Sequence, residues 1–315
     1  MTLPQLEYIV AVDNFKHFSK AAEHCFITQP TLSMQIQKLE EELGILIFDR
    51  SKQPVSATEM GVKVLRQARI ILQEAGRLTD IVENETGDNS GILRVGIIPT
   101  ISPYLIPLFL QSFTTRYPRI ELIINEITTR EIIKYLKKDL IDVGILALPI
   151  NNVDLIEQSL YFEPFLLYVS ESHPLYKKEK IKVGEIPRED LLLLKEGHCF
   201  REQTLRICGD DQAKGKNEKK FLFESGSINT LMKLVEQNFG ITLLPQLAMN
   251  DMSDEKKALV RAFEKPIPRR EIGLIYSKAL IKRNLINILS KEILKNIPQE
   301  LLDKSESLIL GLGRE

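Results

Sequence analysis

The sequence predicts an α/β chain in three parts: a small helical N-terminal domain closed by a two-stranded wing, one long helix, and a larger two-lobed domain of alternating strands and helices. Three patterns carry that prediction. Helical periodicity bounded by capping residues fills the stretch up to Gly44. A repeat of small and apolar positions at three- and four-residue spacing then runs from Gly61 to Val82, and from Ile92 onward short β-branched runs alternate with helical ones. At 315 residues the chain is long enough for two or three domains, each with its own core.

Composition limits the function classes. A hydrophobic content of 43% and a charged content of 27% are those of a soluble globular protein, and a net charge of −1 selects neither nucleic acid nor membrane as a partner. Three cysteines do not make the disulfide framework of a secreted protein, and no Lys or Arg precedes Lys16, so a basic leader is missing. No apolar run approaches the roughly 20 residues of a membrane span. The expected location is the cytoplasm, with its thiol reductants and without a membrane partner.

Residues 1–58 read as the first domain. Leu3, Leu6, Val10 and Phe15 form one helical stripe, Ser19 is expected to cap a second helix, and Thr28-Gln29-Pro30 opens a third, with proline tolerated in its first turn. Leu32, Ile36, Leu39 and Leu43 share one face of that helix and Gly44 ends it. The other face presents Pro30, Thr31, Ser33, Met34 and Gln37. Small polar groups near the start of the second helix of a tight pair suit entry into the DNA major groove. Phe48–Lys52 and Val55–Thr58 read as a wing, with Arg50 and Lys52 available for phosphates. Charge does not favour this: five Lys/Arg (16, 20, 38, 50, 52) stand against seven Asp/Glu (7, 13, 23, 40, 41, 42, 49). A helical protein-interaction module would show the same periodicity.

An ordered set of matches decides the matter. Phe18-Ser19-Lys20-Ala21-Ala22, Gln29-Pro30-Thr31-Leu32-Ser33, Leu39-Glu40, Leu43-Gly44, Leu46-Ile47-Phe48-Asp49-Arg50 and Thr58-Glu59-Met60-Gly61 resemble the winged helix-turn-helix signature of LysR-type transcriptional regulators. The resemblance implies a DNA-binding regulator, not an enzyme, acting on double-stranded operator DNA and on RNA polymerase. Gln29, Pro30, Thr31, Ser33, Met34, Arg50 and Lys52 would be its DNA contacts, and a tetramer, a dimer of dimers, its assembly.

Residues 59–90 are expected to form the linker, a helix from the Thr58 cap to about Asn84 followed by a connection from Glu83 to Gly91. Gly61, Val64, Ala68, Ile71, Ala75, Leu78 and Val82 make a coiled-coil seam of roughly three heptads. Lys63, Arg66, Arg69 and Arg77 fall mostly off it, which favours a dimerisation helix over a helix buried within its own chain.

Residues 91–300 form the effector domain. Strands at Ile92–Ile98, Ile120–Ile127 and Ile141–Leu146, with helices over Pro103–Tyr117 and from Thr128-Thr129 to Lys138, give a βαβαβ order and hence a parallel sheet with right-handed crossovers. Thr100 and Thr129 lie beyond carboxyl ends of strands, where ligands of such sheets sit, although helix capping accounts for either one alone. Strands at Phe165–Ser170, Leu191–Leu194 and Phe221–Phe223, a helix over Ile228–Gln237 and the string Gly240–Pro245 build a second lobe. The strand Ile272–Tyr276 and a helix over Leu280–Ile297 return to the first. The lobes are 91–163 with 268–300, and 164–267, like the periplasmic-binding-protein-type effector domains of the LysR family. Residues 301–315 form a tail to which the sequence assigns no role.

The chemistry-bearing stretch is Glu196-Gly197-His198-Cys199-Phe200-Arg201 and its continuation to Cys208. A neighbouring imidazolium or guanidinium favours the reactive thiolate, so Cys199 sits in a polarising setting and Cys208 in an apolar one. This reads as an attacking sulfur with a resolving partner; two inert small hydrophobes, with Cys25 a third, are the alternative. The spacing does not fit a zinc knuckle, and neither metal nor cofactor is expected. Gly197-His198-Cys199, Arg201, Gln203 and Cys208, with Thr100 after Pro99, Thr129 and the Gly240–Pro245 string, resemble the hydrogen-peroxide-sensing members of the same family. By that resemblance Cys199 is the peroxidatic and Cys208 the resolving cysteine, Thr100, Thr129 and His198 position peroxide, and Arg201 polarises the site. An activator of the oxidative-stress response is implied. A LysR-type regulator binding a small metabolite between the lobes, and a thiol peroxidase, are the competing readings.

Overall fold

Capping residues open each helix of the first unit. Thr2 accepts a hydrogen bond from the Gln5 N–H and the Gln5 side chain accepts the Thr2 N–H, which opens α1 (Leu3–Phe15). His17, not Ser19, caps α2 (Phe18–His24): its side chain accepts from the Ser19 N–H, and Ser19 lies in the first turn. Thr28 caps α3 (Gln29–Leu43) as expected, with Pro30 in the first turn and Gly44 closing it at a φ of +67°. Leu32, Ile36 and Leu39 are fully buried, whereas Leu43 faces solvent. The buried Glu40 carboxylate takes the N–H groups of Ile47 and Phe48 at 2.7 and 3.2 Å. That fixes the start of the wing, where β1 (Phe48–Asp49) pairs antiparallel with β2 (Ser56–Ala57).

Thr58 caps α4 (Glu59–Thr86), accepting from the Gly61 N–H at 2.9 Å. Only glycine fits at 61, because a Cβ would lie 2.0 Å from the Ile47 carbonyl oxygen. Leu65 and Ala68 are buried in the core of α1–α3, with Val64, Ile71 and Leu72 partly buried against it. The first half of the expected seam therefore packs on its own chain. Leu78, further along, is 68% exposed. The helix continues to Thr86, past the Glu83 at which the connection was expected to begin.

The structure, a computed structural model, describes residues 1–86, 89–208, 225–278, 282–303, 305 and 307–311. The side chains of Arg77 and Val82, the stretch 209–224 with its lysine-rich segment 214–220 and expected strand 221–223, and residues 280–281 of the expected last helix lie outside the described set. Contacts divide the chain into Met1–Asp88 with Ala279–Lys282, and Asn89–Lys278 with Arg283–Glu315.

In the second unit the βαβαβ order holds. β3 (Gly91–Ile97) pairs in parallel with β4 (Ile120–Glu126) and β5 (Val143–Leu148), and α5 (Ser102–Arg116) and α6 (Thr129–Leu136) are the crossovers. Gly144 lets α6 press onto the sheet, since a Cβ there would stand 2.3 Å from Ile132 Cγ2. The strand expected from Phe165 is the second half of a longer one, β6 (Leu155–Val169). It pairs antiparallel with β10 (Ile267–Ser277) as far as Pro164, and with β8 (Ile241–Pro245) from Phe165 onward. The remaining elements are β7 (Lys180–Ile181), α7 (Cys199–Ile207), α8 (Ile228–Glu236), α9 (Asp254–Lys257), β9 (Val260–Phe263), α10 (Arg283–Asn296) and β11 (Ser307–Ile309). Leu191–Leu194, expected as a strand, makes only isolated bridges to Ile241 and Ser225. The tail is not featureless: β11 adds in parallel to the start of β10. No helix among the described residues is long and apolar enough to cross a membrane.

Candidate functional site: a buried thiol at a helix start

Cys199 is the first residue of α7 and is buried. Gly197, at φ +91°, turns the chain into it, and His198 stands at the cap position without making a side-chain cap. Thr100 and Thr129 both come to this point, and neither is a helix cap. Thr128 caps α6, which frees the Thr129 hydroxyl to donate to Cys199 Sγ at 3.6 Å. Ile101 occupies the cap position of α5 without a side-chain bond, and the buried Thr100 hydroxyl accepts from Arg270 Nη1 at 3.0 Å. A small recess is lined by Ile98, Thr100, Thr129, His198 and Cys199.

The cation of the site is one the sequence reading missed. Arg270, on β10, is 1% exposed and forms a two-pronged ion pair with the equally buried Glu163, Nε at 2.9 Å and Nη2 at 2.7 Å from Oε2. It also donates to the Thr100 carbonyl at 3.0 Å and lies 5.0 Å from the centre of the Phe200 ring. Burial pushes the Cys199 thiol up. The Thr129 hydrogen bond, the Arg270 charge and the Phe200 N–H at the helix start oppose it without cancelling it. Arg201 does not polarise the thiol, because its guanidinium turns away and donates to the Leu194 carbonyl at 2.8 Å. Nor does the setting of His198 favour an imidazolium. Burial, and after it the Lys195 charge, hold it below the usual histidine range, and its buried Nε2 has no hydrogen-bond partner among the described residues.

Cys208 stands at the far end of the same helix, buried, with its thiol pushed up to about 11 by burial against the opposing pull of Arg188. Phe200, Gln203, Thr204 and Ile207 form the buried face between the two cysteines, and Phe200 packs on Phe165 with ring centres 5.1 Å apart. Helical rise sets the two Cα atoms roughly 13 Å apart. All three cysteines are free thiols.

In the first unit Gln29, Pro30, Thr31 and Met34 are exposed along the start of α3. Ser33 and Arg50 meet: Arg50 Nη1 donates to Ser33 Oγ at 3.2 Å, while Nη2 pairs with Glu40 at 2.9 Å and the guanidinium lies over Phe18. Arg50 is thus a brace between wing and helix as well as an edge charge. Lys52 is exposed and leans on Asp49 at 3.3 Å. The acidic balance of this domain is partly internal, since Glu40 and Asp13 are spent on such bonds.

Fold and site together define a helix-turn-helix regulator carrying a thiol site in an α/β effector domain. Residues 3–62 match the bacterial regulatory helix-turn-helix proteins of the lysR family and residues 86–289 match the LysR substrate binding domain; the chain belongs to the LysR family. Among its relatives, the DNA-binding transcriptional dual regulator OxyR of Escherichia coli (strain K12) is 36% identical over 276 residues, 88% of this chain and 89% of that one. A hydrogen peroxide-inducible genes activator of Haemophilus influenzae is 34% identical over 284 residues, 90% and 93% of the two chains. Among solved structures, a full-length OxyR variant from Pseudomonas aeruginosa superposes with a TM-score of 0.78 at 33% identity, covering 94% of this chain and 99% of that one. A hydrogen-peroxide-bound OxyR mutant from Corynebacterium glutamicum gives a TM-score of 0.62 at 29% identity, over 96% and 94%.

Proposed function

We propose that this chain is a redox-responsive transcriptional regulator that senses hydrogen peroxide at Cys199 and is switched by a Cys199–Cys208 disulfide. The observation that carries the reading is the placement of Cys199 under the Thr129 hydroxyl and beside Arg270, at one end of a nine-residue helix whose other end is Cys208. Peroxide has two O–H donors and two acceptor oxygens. Thr100, Thr129 and the unpartnered Nε2 of His198 are the groups that would hold it in the recess. The Cys199 thiolate attacks one oxygen, the O–O bond breaks, and the leaving hydroxide takes up a proton to become water. The Cys208 thiolate then attacks the sulfenic sulfur, forming the S–S bond and expelling the second oxygen as hydroxide, which takes up the proton Cys208 released and leaves as water. A cellular thiol reverses the bond by exchange.

The chain acts as a regulator and not an enzyme. Residues 1–58 bind double-stranded operator DNA through Gln29, Pro30, Thr31, Ser33 and Met34 in the groove, with Arg50 and Lys52 on phosphates. The 59–90 helix joins two copies, two such dimers make a tetramer, RNA polymerase is the downstream partner, and the location is the cytoplasm. Residues 91–300 are the redox-sensing domain, with lobes 91–163 plus 268–300 and 164–267.

Mass spectrometry after one equivalent of peroxide tests this. A Cys199–Cys208 linkage with Cys25 unmodified is expected; loss spread over all three cysteines, or none, overturns it. One observation favours a second reading, regulation by a small metabolite: a cavity of about 400 Å³ lined by Pro103, Tyr104, Asn229, Met232, Asp251 and Lys256. A metabolite sensor would lose no thiol selectively.

A further inference from the structure

The last described residues of the chain close on the helix that carries both thiols. β11 runs parallel to the start of β10, with Ser307 opposite Ile267 and Ile309 opposite Arg269, and the Leu310 N–H donates to the Arg269 carbonyl at 2.8 Å. Beyond the strand, the Leu310 carbonyl accepts from Gln203 Nε2 at 2.8 Å and the Gly311 carbonyl from Arg206 Nη1 at 2.9 Å. Gln203 is 0% exposed and Leu310 8%, so the first of these bonds is made away from water. A pairing of three residues is short for a strand, and its outer end is held by α7. Conversely, a nine-residue helix is marginal by itself and relies on contacts along its faces.

We infer that residues 307–311 are a latch on the redox helix: bound through Gln203 and Arg206, they stabilise the helical state in which the thiols are apart, and they are released when the thiols join. The inference rests on the reading of Cys199 and Cys208 as the switch. Forming the disulfide gives up two electrons and two protons, to peroxide or to glutathione disulfide, and requires Cα atoms within roughly 4.4–6.8 Å. The helix holds them roughly 13 Å apart. Gln203 and Arg206 stand three residues apart on one helical face, so their donors reach successive tail carbonyls only while the turn between them is intact. Closing the bridge disrupts that turn, and the Gln203 and Arg206 bonds to the tail go with it. By linkage, a tail that binds only the helical state opposes oxidation to the same extent that oxidation releases the tail.

Two measurements on the full-length protein test the latch. Hydrogen exchange of the reduced and disulfide forms should show the Leu310 amide, which donates to Arg269, protected when reduced and exposed when oxidised. Equilibration in glutathione redox buffers should show a chain ending at Glu306 oxidised at a more reducing poise, by about tenfold in the equilibrium constant, close to 30 mV for this two-electron couple. If the shortened chain fails to fold, Gln203→Met keeps the volume and the helix while removing the donor, and the same direction of shift is expected. Equal protection of the tail in both redox states, or unchanged redox equilibria in the shortened chain or in Gln203→Met, overturns the latch. If the wild type forms no Cys199–Cys208 bridge at all, it is the underlying switch reading that fails.

Discussion

Replacing Arg270 by methionine removes the cation on which the thiol site is built and leaves its partner behind. Glu163, 1% exposed, would keep, among the described residues, the Leu247 N–H at 3.1 Å as its one hydrogen-bond donor, and Thr100 would lose the bonds to its hydroxyl and its carbonyl. Breaking a buried pair from one side costs about 3–5 kcal/mol, because the surviving charge is stranded in a poor solvent. Reduced Arg270→Met should therefore unfold in urea with that loss, and Arg270→Met with Glu163→Leu should recover most of it, since neither charge is then buried alone. The chemistry supplies a second reading with opposite signs. Arg270 opposes the upward push on the Cys199 thiol, so its removal raises the thiol further and lowers the thiolate fraction at neutral pH, about tenfold for each pH unit. Glu163→Gln leaves the guanidinium uncompensated and should speed peroxide consumption in stopped flow while also destabilising the fold. If the single variant keeps its urea midpoint within the error of wild type, or if both variants change the peroxide rate in one direction, the pair is not what tunes Cys199.

Other consequences follow from single positions. Leu78→Glu, at an exposed position of α4, should yield monomers in sedimentation without disturbing the core of the first unit; Ile71→Glu is the poorer probe because Ile71 packs in its own chain's core. Thr31→Ala should alter sequence preference by about 1–3 kcal/mol per lost base contact, whereas Lys52→Ala should weaken binding to all duplexes and flatten the salt dependence, both read by titration of selected and random DNA. Phe26 is 96% exposed at a φ of +56°, so Phe26→Gly should raise stability by up to about 1 kcal/mol, the strain relieved less the chain entropy glycine adds to the unfolded state, checked by urea unfolding. Burial raises Cys208 from the ordinary 9.0 to about 11, so the unfolded chain sheds that proton first as pH climbs. Stability from this thiol is complete below pH 9 and is lost between 9 and 11, up to about 3 kcal/mol, and the urea midpoint of reduced Cys208→Ala should decline less steeply there.

Local signals made the helices and the parallel sheet legible. Thr28 with Pro30, Gly44 and Thr58 with Gly61 are each written within one turn of what they cap, and β3, β4 and β5 are short β-branched runs between helical ones. Ser19 failed as a cap because His17, two residues earlier, offers a ring nitrogen to the same turn. The seam of α4 was half misread for a physical reason: a stripe at three- and four-residue spacing does not say whether it faces a second copy or the core of its own domain. Arg270 was missed because it lies 71 positions beyond Cys199 on a different element. A signal existed nonetheless. Pro268, Arg270 and Ile272 occupy the buried phase of β10, and a charge on the inward phase of an alternating strand needs a partner. Looking for an acid on the buried face of the neighbouring strand would have found Glu163. The tail was opaque because its bonds to α7 use backbone carbonyls, which any sequence can supply.

The arrangement also suggests how a thiol whose ionisation is disfavoured by burial could serve as a sensor. Burial disfavours the Cys199 thiolate, and the groups that would favour the anion, Thr129, the Phe200 N–H and Arg270, are fixed before any ligand arrives. Fixed dipoles act without reorganising, and they act most strongly where water is excluded. On the proposed reading, peroxide admitted to the lining of Thr100, Thr129 and His198 would pair with His198 Nε2 and the threonine hydroxyls beside Cys199. On that reading, reaction there does not by itself move the fold: a sulfenic acid on Cys199 would leave α7 intact. The conformational step belongs to Cys208, which at the far end of a nine-residue helix can reach Cys199 only by unwinding it. Sensing and switching would thus be separate chemical events on one helix. Cys208→Ser should divide them: it would consume peroxide at Cys199 with the reduced exchange pattern retained over residues 199–208, and loss of protection in that variant would show that oxidation alone unwinds α7.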